Sequence, residues 1–215
     1  MEVNQDNCFK FIAPFTMIVS GATMSGKTEL VKKIILNAEK IIKPKPVNIV
    51  ISYSVDQTEY KELQNYGVKL VHGLEFEIED FLPHTPSLLI IDDQMDDAIT
   101  NEKINELFTK GVHHRNVSVI ILQQNVFPQG KYGRTIRLNA QYLILMRSPM
   151  FLSQVMSLGR QLFPGKPKFL LDAYKKATAE PYSYLVVNLH PLCDDQLRIT
   201  EGLFSESEKI IYLPK

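Results

Sequence analysis

The sequence has no surplus of charge in either sense: 24 Lys and Arg balance 24 Asp and Glu over 215 residues. That balance argues against a protein that coats nucleic acid through general basicity. Cysteine is scarce. Cys8 and Cys193 stand near opposite ends, which leaves no disulfide framework and no zinc-ligand spacing and makes a reducing compartment the expected setting. No apolar run approaches the length of a membrane span. The first residues, Met1-Glu2-Val3-Asn4-Gln5-Asp6, lack the charged-then-apolar layout of a signal peptide. Internal repeats and low-complexity tracts are missing too. What remains is 45% hydrophobic and 22% charged, the composition of a soluble globular protein, at a length that supports one sizeable core. The charges are unevenly placed. Glu75 to Glu106 carries ten acidic residues and only Lys103 as a base, whereas Lys131 to Lys176 carries nine Lys or Arg and only Asp172 as an acid. A polarised surface is expected, unless both stretches are simply solvated helix faces.

The strongest signal is Gly21-Ala22-Thr23-Met24-Ser25-Gly26-Lys27-Thr28, which has the spacing of a phosphate-binding loop. Gly21 and Gly26 admit backbone angles that a side chain would forbid, so that loop N–H groups turn inward toward phosphate oxygens. Lys27 is placed to reach the β- and γ-phosphates of ATP, and Thr28 to offer its hydroxyl to Mg²⁺. The flanks agree. Phe15 to Ser20 is a short apolar run suited to a buried parallel strand. Leu30, Val31, Ile34, Ile35, Ala38, Ile41 and Ile42 recur at helical spacing. The loop therefore opens a helix whose N-terminus favours anions.

A second signal is Ser87-Leu88-Leu89-Ile90-Ile91-Asp92-Asp93. Four aliphatics run into two acids, as at the ligand-facing end of a buried parallel strand. Asp92 is assigned to the metal, through water, and Asp93 to polarising the attacking water. The other reading is a solvated turn leading to Asp96 and Asp97. A third strand, Val117 to Leu122, ends in Gln123-Gln124-Asn125. An amide there can orient the lytic water or sense the γ-phosphate, or it can simply close a turn.

The remaining chain alternates strand and helix. Strands are expected at Val47–Ile51, Val68–Val71, Gln141–Met146 and Tyr184–Leu189. Helices are expected at Gln57–Gln64, Leu74–Phe81, Asn101–Lys110, Phe151–Phe163 and Lys168–Thr178. Phe127 to Arg134 reads as a loop by its Pro and Gly content, and Leu197 to Leu213 as an edge hairpin. This alternation implies an α/β fold with a mostly parallel sheet flanked by helices. Residues 1–14 are read as an N-terminal arm and 15–215 as a single phosphate-loop ATPase domain with a C-terminal β extension. The unit between the two motif strands, and the polar strand end after them, suggest the class in which another strand lies between the phosphate-loop strand and the acidic strand.

Gly21 to Thr28, Leu88 to Asp93 and Val117 to Asn125 together resemble the FtsK–HerA superfamily of DNA-pumping ATPases. Three later segments are similar to poxvirus-type packaging ATPases, in the versions carried by virophages, adintoviruses and Polinton (Maverick) elements. These are Arg134 to Tyr142, Gly159 to Gly165 and Pro181 to Asn188. The resemblance covers nearly everything from Phe15 to Phe204. It implies an ATP- and Mg²⁺-dependent motor that moves viral double-stranded DNA, without sequence preference, into a preformed capsid. It further implies a homo-oligomeric ring, pentameric or hexameric, meeting a capsid or portal vertex in the host cytoplasm or nucleus. Position by position, it assigns Lys27 and Thr28 to the phosphate loop, Asp92 to the metal, Asp93 to the catalytic acid and Gln124 to the strand-end glutamine. One departure stands out. Many relatives carry Glu after the metal Asp, where this chain has Asp93.

No arginine lies in the phosphate loop or beside Asp92. Arg134 and Arg137, before the fifth core strand, and Arg115, before the fourth, are candidates to stabilise a neighbouring subunit's γ-phosphate from outside its site. Two other readings stay open at this level: a small kinase whose lid is the Lys131–Arg137 segment, and a non-hydrolysing, nucleotide-dependent capsid scaffold.

Overall fold

The computed structural model describes residues 10–55, 58–74, 77, 84–92, 98–111, 115–127, 129–204 and 209–214. In chain order the strands are β1 (Phe11–Ile12), β2 (Thr16–Ser20), β3 (Ile42–Lys43), β4 (Asn48–Tyr53), β5 (Lys69–His72), β6 (Ser87–Asp92), β7 (Val117–Gln123), β8 (Tyr142–Met146), β9 (Tyr184–Asn188), β10 (Ile199–Glu201) and β11 (Ile210–Ile211). The helices are α1 (Lys27–Leu36), α2 (Ala38–Ile41), α3 (Thr58–Leu63), α4 (Glu102–Glu106), α5 (Gly133–Leu138), α6 (Leu152–Leu162) and α7 (Lys168–Ala177).

Uniformly apolar runs lie where both sheet faces are covered. Leu88-Leu89-Ile90-Ile91 of β6 and the apolar run of β7 are buried along their length. They sit in the interior of a nine-stranded sheet ordered β11-β10-β9-β8-β2-β7-β6-β4-β5. From β5 to β8 all neighbours are parallel, and β9, β10 and β11 add on antiparallel. β7 separates β2 from β6, so the extra strand expected between the two motif strands is present. The edge strands β5 and β11 are the more exposed ones.

Side chains alternate between two cores. On one face Met17 and Val19 of β2, Leu88 and Ile90 of β6, and Ile120 and Leu122 of β7 meet Leu30, Val31, Ile34 and Ile35 of α1 and Tyr60 and Leu63 of α3. On the other, Ile18, Leu89, Ile91, Val119 and Ile121 meet Ile104 of α4, Ile136 of α5, Val155 and Leu158 of α6, and Leu170, Ala173 and Tyr174 of α7. Covering both faces is what lets strands without polar alternation be stable. No helix among the described residues is long and apolar enough to cross a membrane.

Three local expectations differ from the structure. The helix after the phosphate loop does not run through Ile42: it stops at Leu36, restarts for one turn, and Ile42 is extended at φ −122°. Ile42–Lys43 instead pairs in parallel with Phe11–Ile12, and Phe11 is buried. The segment expected as loop through Arg134 turns helical at Gly133. The helix after Asn101 is α-helical only to Glu106 and then widens into a π-type turn, Leu107–Gly111. The expected helix over Leu74–Phe81 falls mostly outside the described residues.

Candidate functional site

The end of β2 sets the site. Gly21 N–H donates to the Gln123 carbonyl of β7 at 3.0 Å, which carries the sheet ladder to the first residue of the loop. The loop then passes so close to β8 that a Cβ on Gly21 would lie 2.4 Å from Ser25 Oγ and 2.7 Å from Met146 Cβ. Gly26 has φ +91°, a left-handed conformation natural to glycine, and caps α1 without a side-chain partner. The first-turn N–H groups of α1 are thus directed at the loop interior, with the positive end of the helix dipole behind them. Ser25 Oγ is buried there with no hydrogen-bond partner. A phosphate oxygen would satisfy both the hydroxyl and the N–H groups. The Lys27 ammonium folds back across the loop, donating to the Gly21 carbonyl at 2.7 Å and the Ala22 carbonyl at 2.9 Å. Thr23 and the 90% exposed Met24, at φ 62°, form the loop's outer rim.

Asp92, only 4% exposed, ends β6 on the α1 face. Its Oδ2 accepts a hydrogen bond of 2.5 Å from the phenol of Tyr60, which is 1% exposed and belongs to α3. The Thr28 side chain lies close to that phenol. Burial and the Asp92 carboxylate hold the phenol far above its usual pKa, so it stays protonated as a donor. The Thr28 side chain and the carboxylate of Asp92 therefore lie beside one phenol, although they come from opposite sides of β7. Two hard oxygen groups beside a phosphate loop fit Mg²⁺, which is held by few protein oxygens together with water and phosphate. No group of three acidic, His or Cys side chains suited to a metal occurs among the described residues.

At the end of β7 the structure distinguishes two glutamines. Gln124 is exposed, past the last strand residue. Gln123 is 2% exposed, in register with Ser20, and both its amide atoms, like Ser20 Oγ, lack partners. These orphaned polar groups lie just beneath the loop, on the face opposite α1. Asp93, assigned to the water, lies outside the described residues.

The arginines are dispersed. Gln141 N–H donates to the carbonyl of Thr16, the first residue of β2, at 2.9 Å, so the α5–β8 junction lies at the strand-start end, away from the loop. Arg137 is half-buried there, its guanidinium 4.8 Å over the Phe127 ring and 3.2 Å from Gln161 Oε1. Burial and the Arg134 charge lower its pKa. Arg134 is exposed and Arg115 is half-buried.

Sequence reasoning missed Tyr60, and among the three amides that end β7 it singled out Gln124 and not Gln123. Tyr60 lies in a polar helix with nothing in its neighbours to mark it. Gln123 was within reach: it is the last residue of the buried strand β7, whereas Gln124 lies past the strand end.

No protein-family model matches the sequence, and no curated protein matches it. Solved structures match the fold. The genome packaging NTPase B204 from Sulfolobus turreted icosahedral virus 2, in complex with ATP-gammaS, is 16% identical, with a TM-score of 0.55 over 94% of this chain and 98% of that one. The cytoplasmic domain of the Thermomonospora curvata type VII secretion ATPase EccC is 14% identical, with a TM-score of 0.54 over 80% of this chain and 24% of that one. At these identities the likeness is one of fold, and it agrees with the topology: this chain has an α/β phosphate-loop NTPase core with a mostly parallel sheet and added C-terminal strands.

Proposed function

We propose that the protein is an ATP-hydrolysing motor that drives viral double-stranded DNA into a capsid, working as a homo-oligomeric ring. The observation that carries the hydrolytic part is the placing of Thr28 and Asp92 beside the Tyr60 phenol, next to a loop whose N–H groups, Lys27 and orphaned Ser25 Oγ suit a triphosphate. Support for the packaging part comes from the fold likeness to a genome packaging NTPase over 94% of this chain, together with the three later segments similar to poxvirus-type packaging ATPases. That finer affiliation belongs to this proposal.

In this reading Gly21 to Thr28 wraps the phosphates, and Lys27 leaves its two carbonyl partners for the β- and γ-oxygens. Thr28 and Asp92 are the residues that would hold Mg²⁺, which supplies charge neutralisation between the β- and γ-phosphates. Asp93 accepts the proton of the attacking water. The glutamines that end β7 sense the γ-phosphate: Gln124 from the exposed strand end and Gln123 from beneath the loop. DNA runs over basic surface. Lys166 and Lys168, at the turn between α6 and α7, and Lys176 rim a cavity of about 570 Å³ shared with Phe169 and Tyr212. The kinase reading loses its lid, because Arg134 and Arg137 belong to a helix ending near the strand-start edge.

The test is steady-state ATP hydrolysis with and without long duplex DNA. DNA should stimulate turnover, regardless of its sequence, and the stimulation should fall steeply with salt, as phosphate contacts do. Lys27→Ala should lose at least about 100-fold in turnover and keep its fold. Phosphorylation of a small acceptor in place of hydrolysis would overturn the motor reading. Nucleotide binding without turnover would favour a scaffold.

A further inference from the structure

We propose that Tyr182 is the platform on which the base of the bound nucleotide stacks, an inference that rests on the nucleotide-binding reading above. Tyr182 lies in the turn that leads from α7 into β9. Its ring stands directly against the phosphate loop: a Cβ placed on Gly26 would lie 3.1 Å from Tyr182 Cδ1 and 3.6 Å from Tyr182 Cβ. Its neighbour is tied to the end of β8, since Arg147 N–H donates to the Ser183 carbonyl at 3.0 Å. Two features are poorly explained by folding alone. The residue has φ 62°, a conformation costly for a side chain of this size, and it is 69% exposed, so its ring gains little from burial. Strained backbone under an exposed aromatic is a mark of binding sites.

The strand order decides which part of the nucleotide meets the ring. From β2, the metal acid Asp92 lies on one side, beyond β7, while β8, β9 and Tyr182 lie on the other. The γ-phosphate end must face Thr28 and Asp92. The nucleoside end therefore leaves the loop on the β8–β9 side, where Tyr182 presents a flat apolar face at the level of Gly26. Stacking reads the face of a base and not its hydrogen-bonding edge, so the ligand class is a nucleoside triphosphate with a large flat base, purine ahead of pyrimidine.

Calorimetry with two ligands separates this role from support of the loop. Tyr182→Ala should weaken binding of ATP by about 5- to 150-fold, the range for loss of one base–aromatic stack, and leave binding of inorganic tripolyphosphate unchanged. Tyr182→Phe should bind both as the wild type does. Equal loss for both ligands would make the ring a prop for the loop, and unchanged ATP affinity would remove it from the site. The sequence has no tryptophan, so Tyr182→Trp introduces the sole indole. Its emission should change with ATP and not with tripolyphosphate, and no response to bound ATP would overturn the proposal. A wild-type protein that bound neither ligand would sink the nucleotide reading itself, and this inference with it.

Discussion

Tyr60 does at the scale of one side chain what Asp92, proposed to hold the metal, needs from the fold. A carboxylate as buried as Asp92 must be hydrogen-bonded or paired to stay ionised. The phenol supplies a donor at 2.5 Å, held protonated by burial and by the charge it serves. It fixes one carboxylate oxygen, and so the direction in which the group is presented to an ion beside Thr28. Groups that orient a ligand in this way typically contribute 10–100-fold in metal affinity. Tyr60→Phe should therefore weaken Mn²⁺ binding to the ADP complex, measured by the signal of free Mn²⁺ in electron paramagnetic resonance, by about 10-fold or more. Affinity for ADP without metal should hold. The same change should destabilise the fold by about 1–3 kcal/mol, because Asp92 loses a buried donor. Unchanged Mn²⁺ affinity would reduce Tyr60 to a core residue. The contrast with Lys27 and Thr28 shows what sequence can reveal of a site. Those residues are legible because the chemistry fixes their spacing along the chain. Tyr60 meets Asp92 across 32 positions of sequence, through a helix crossing that no local pattern records.

At the scale of elements, close approach constrains the α6–α7 pair. Gly159 lies where the two helices touch, and a Cβ there would come within 2.4 Å of the Pro167 carbonyl oxygen and 3.3 Å of Leu170 Cβ. The first obstacle is backbone and cannot rotate away. Gly159→Ala should cost about 1–3 kcal/mol, the range for overpacking, and lower the melting temperature by several degrees, at about 2–4 °C per kcal/mol for a chain of this size. A stable Gly159→Ala protein with an unchanged melting temperature would mean that α7 shifts at no cost. Elements were legible where burial imposes one pattern. β2, β6, β7 and β8 are buried on both faces and read as unbroken apolar runs. α6 and α7 announce themselves by periodicity and by the Pro164-Gly165 break between them. The misreadings fall where tertiary contact overrides local preference. Ile42 keeps the helical spacing of α1 but is drawn out by pairing with Phe11. Gly133 reads as loop by its Pro- and Gly-rich neighbourhood, yet it opens α5 because Ile136 is needed in the core beneath.

At the scale of the whole molecule, the proposed ring would let a neighbouring subunit complete the site. Transfer of the γ-phosphoryl group builds charge on its oxygens, and an arginine from outside commonly stabilises it. The structure separates the two arginines that the sequence ranks together. Arg137 is already engaged within its own chain, stacked on Phe127 and bonded to Gln161. Arg134, one turn earlier on α5, is exposed. α5 leads to the start of β8, and its own loop follows the end of β2, so Arg134 is better placed for a neighbour's nucleotide than for its own. In the proposed ring such a contact would repeat head to tail and close. Arg134→Ala should keep ATP affinity and lose turnover by about 10³-fold or more, the range for removal of such an arginine. Arg137→Ala should act mainly through stability. Mixing decides the matter. Arg134→Ala and Lys27→Ala proteins, each inactive alone, should regain part of the wild-type ATPase rate when combined. In a mixed ring an intact Lys27 site of the first protein can face an intact Arg134 of the second. If mixed oligomers form, as shown by co-purification of differently tagged chains, and no activity returns, Arg134 does not act in trans, and the same experiment passes to Arg115.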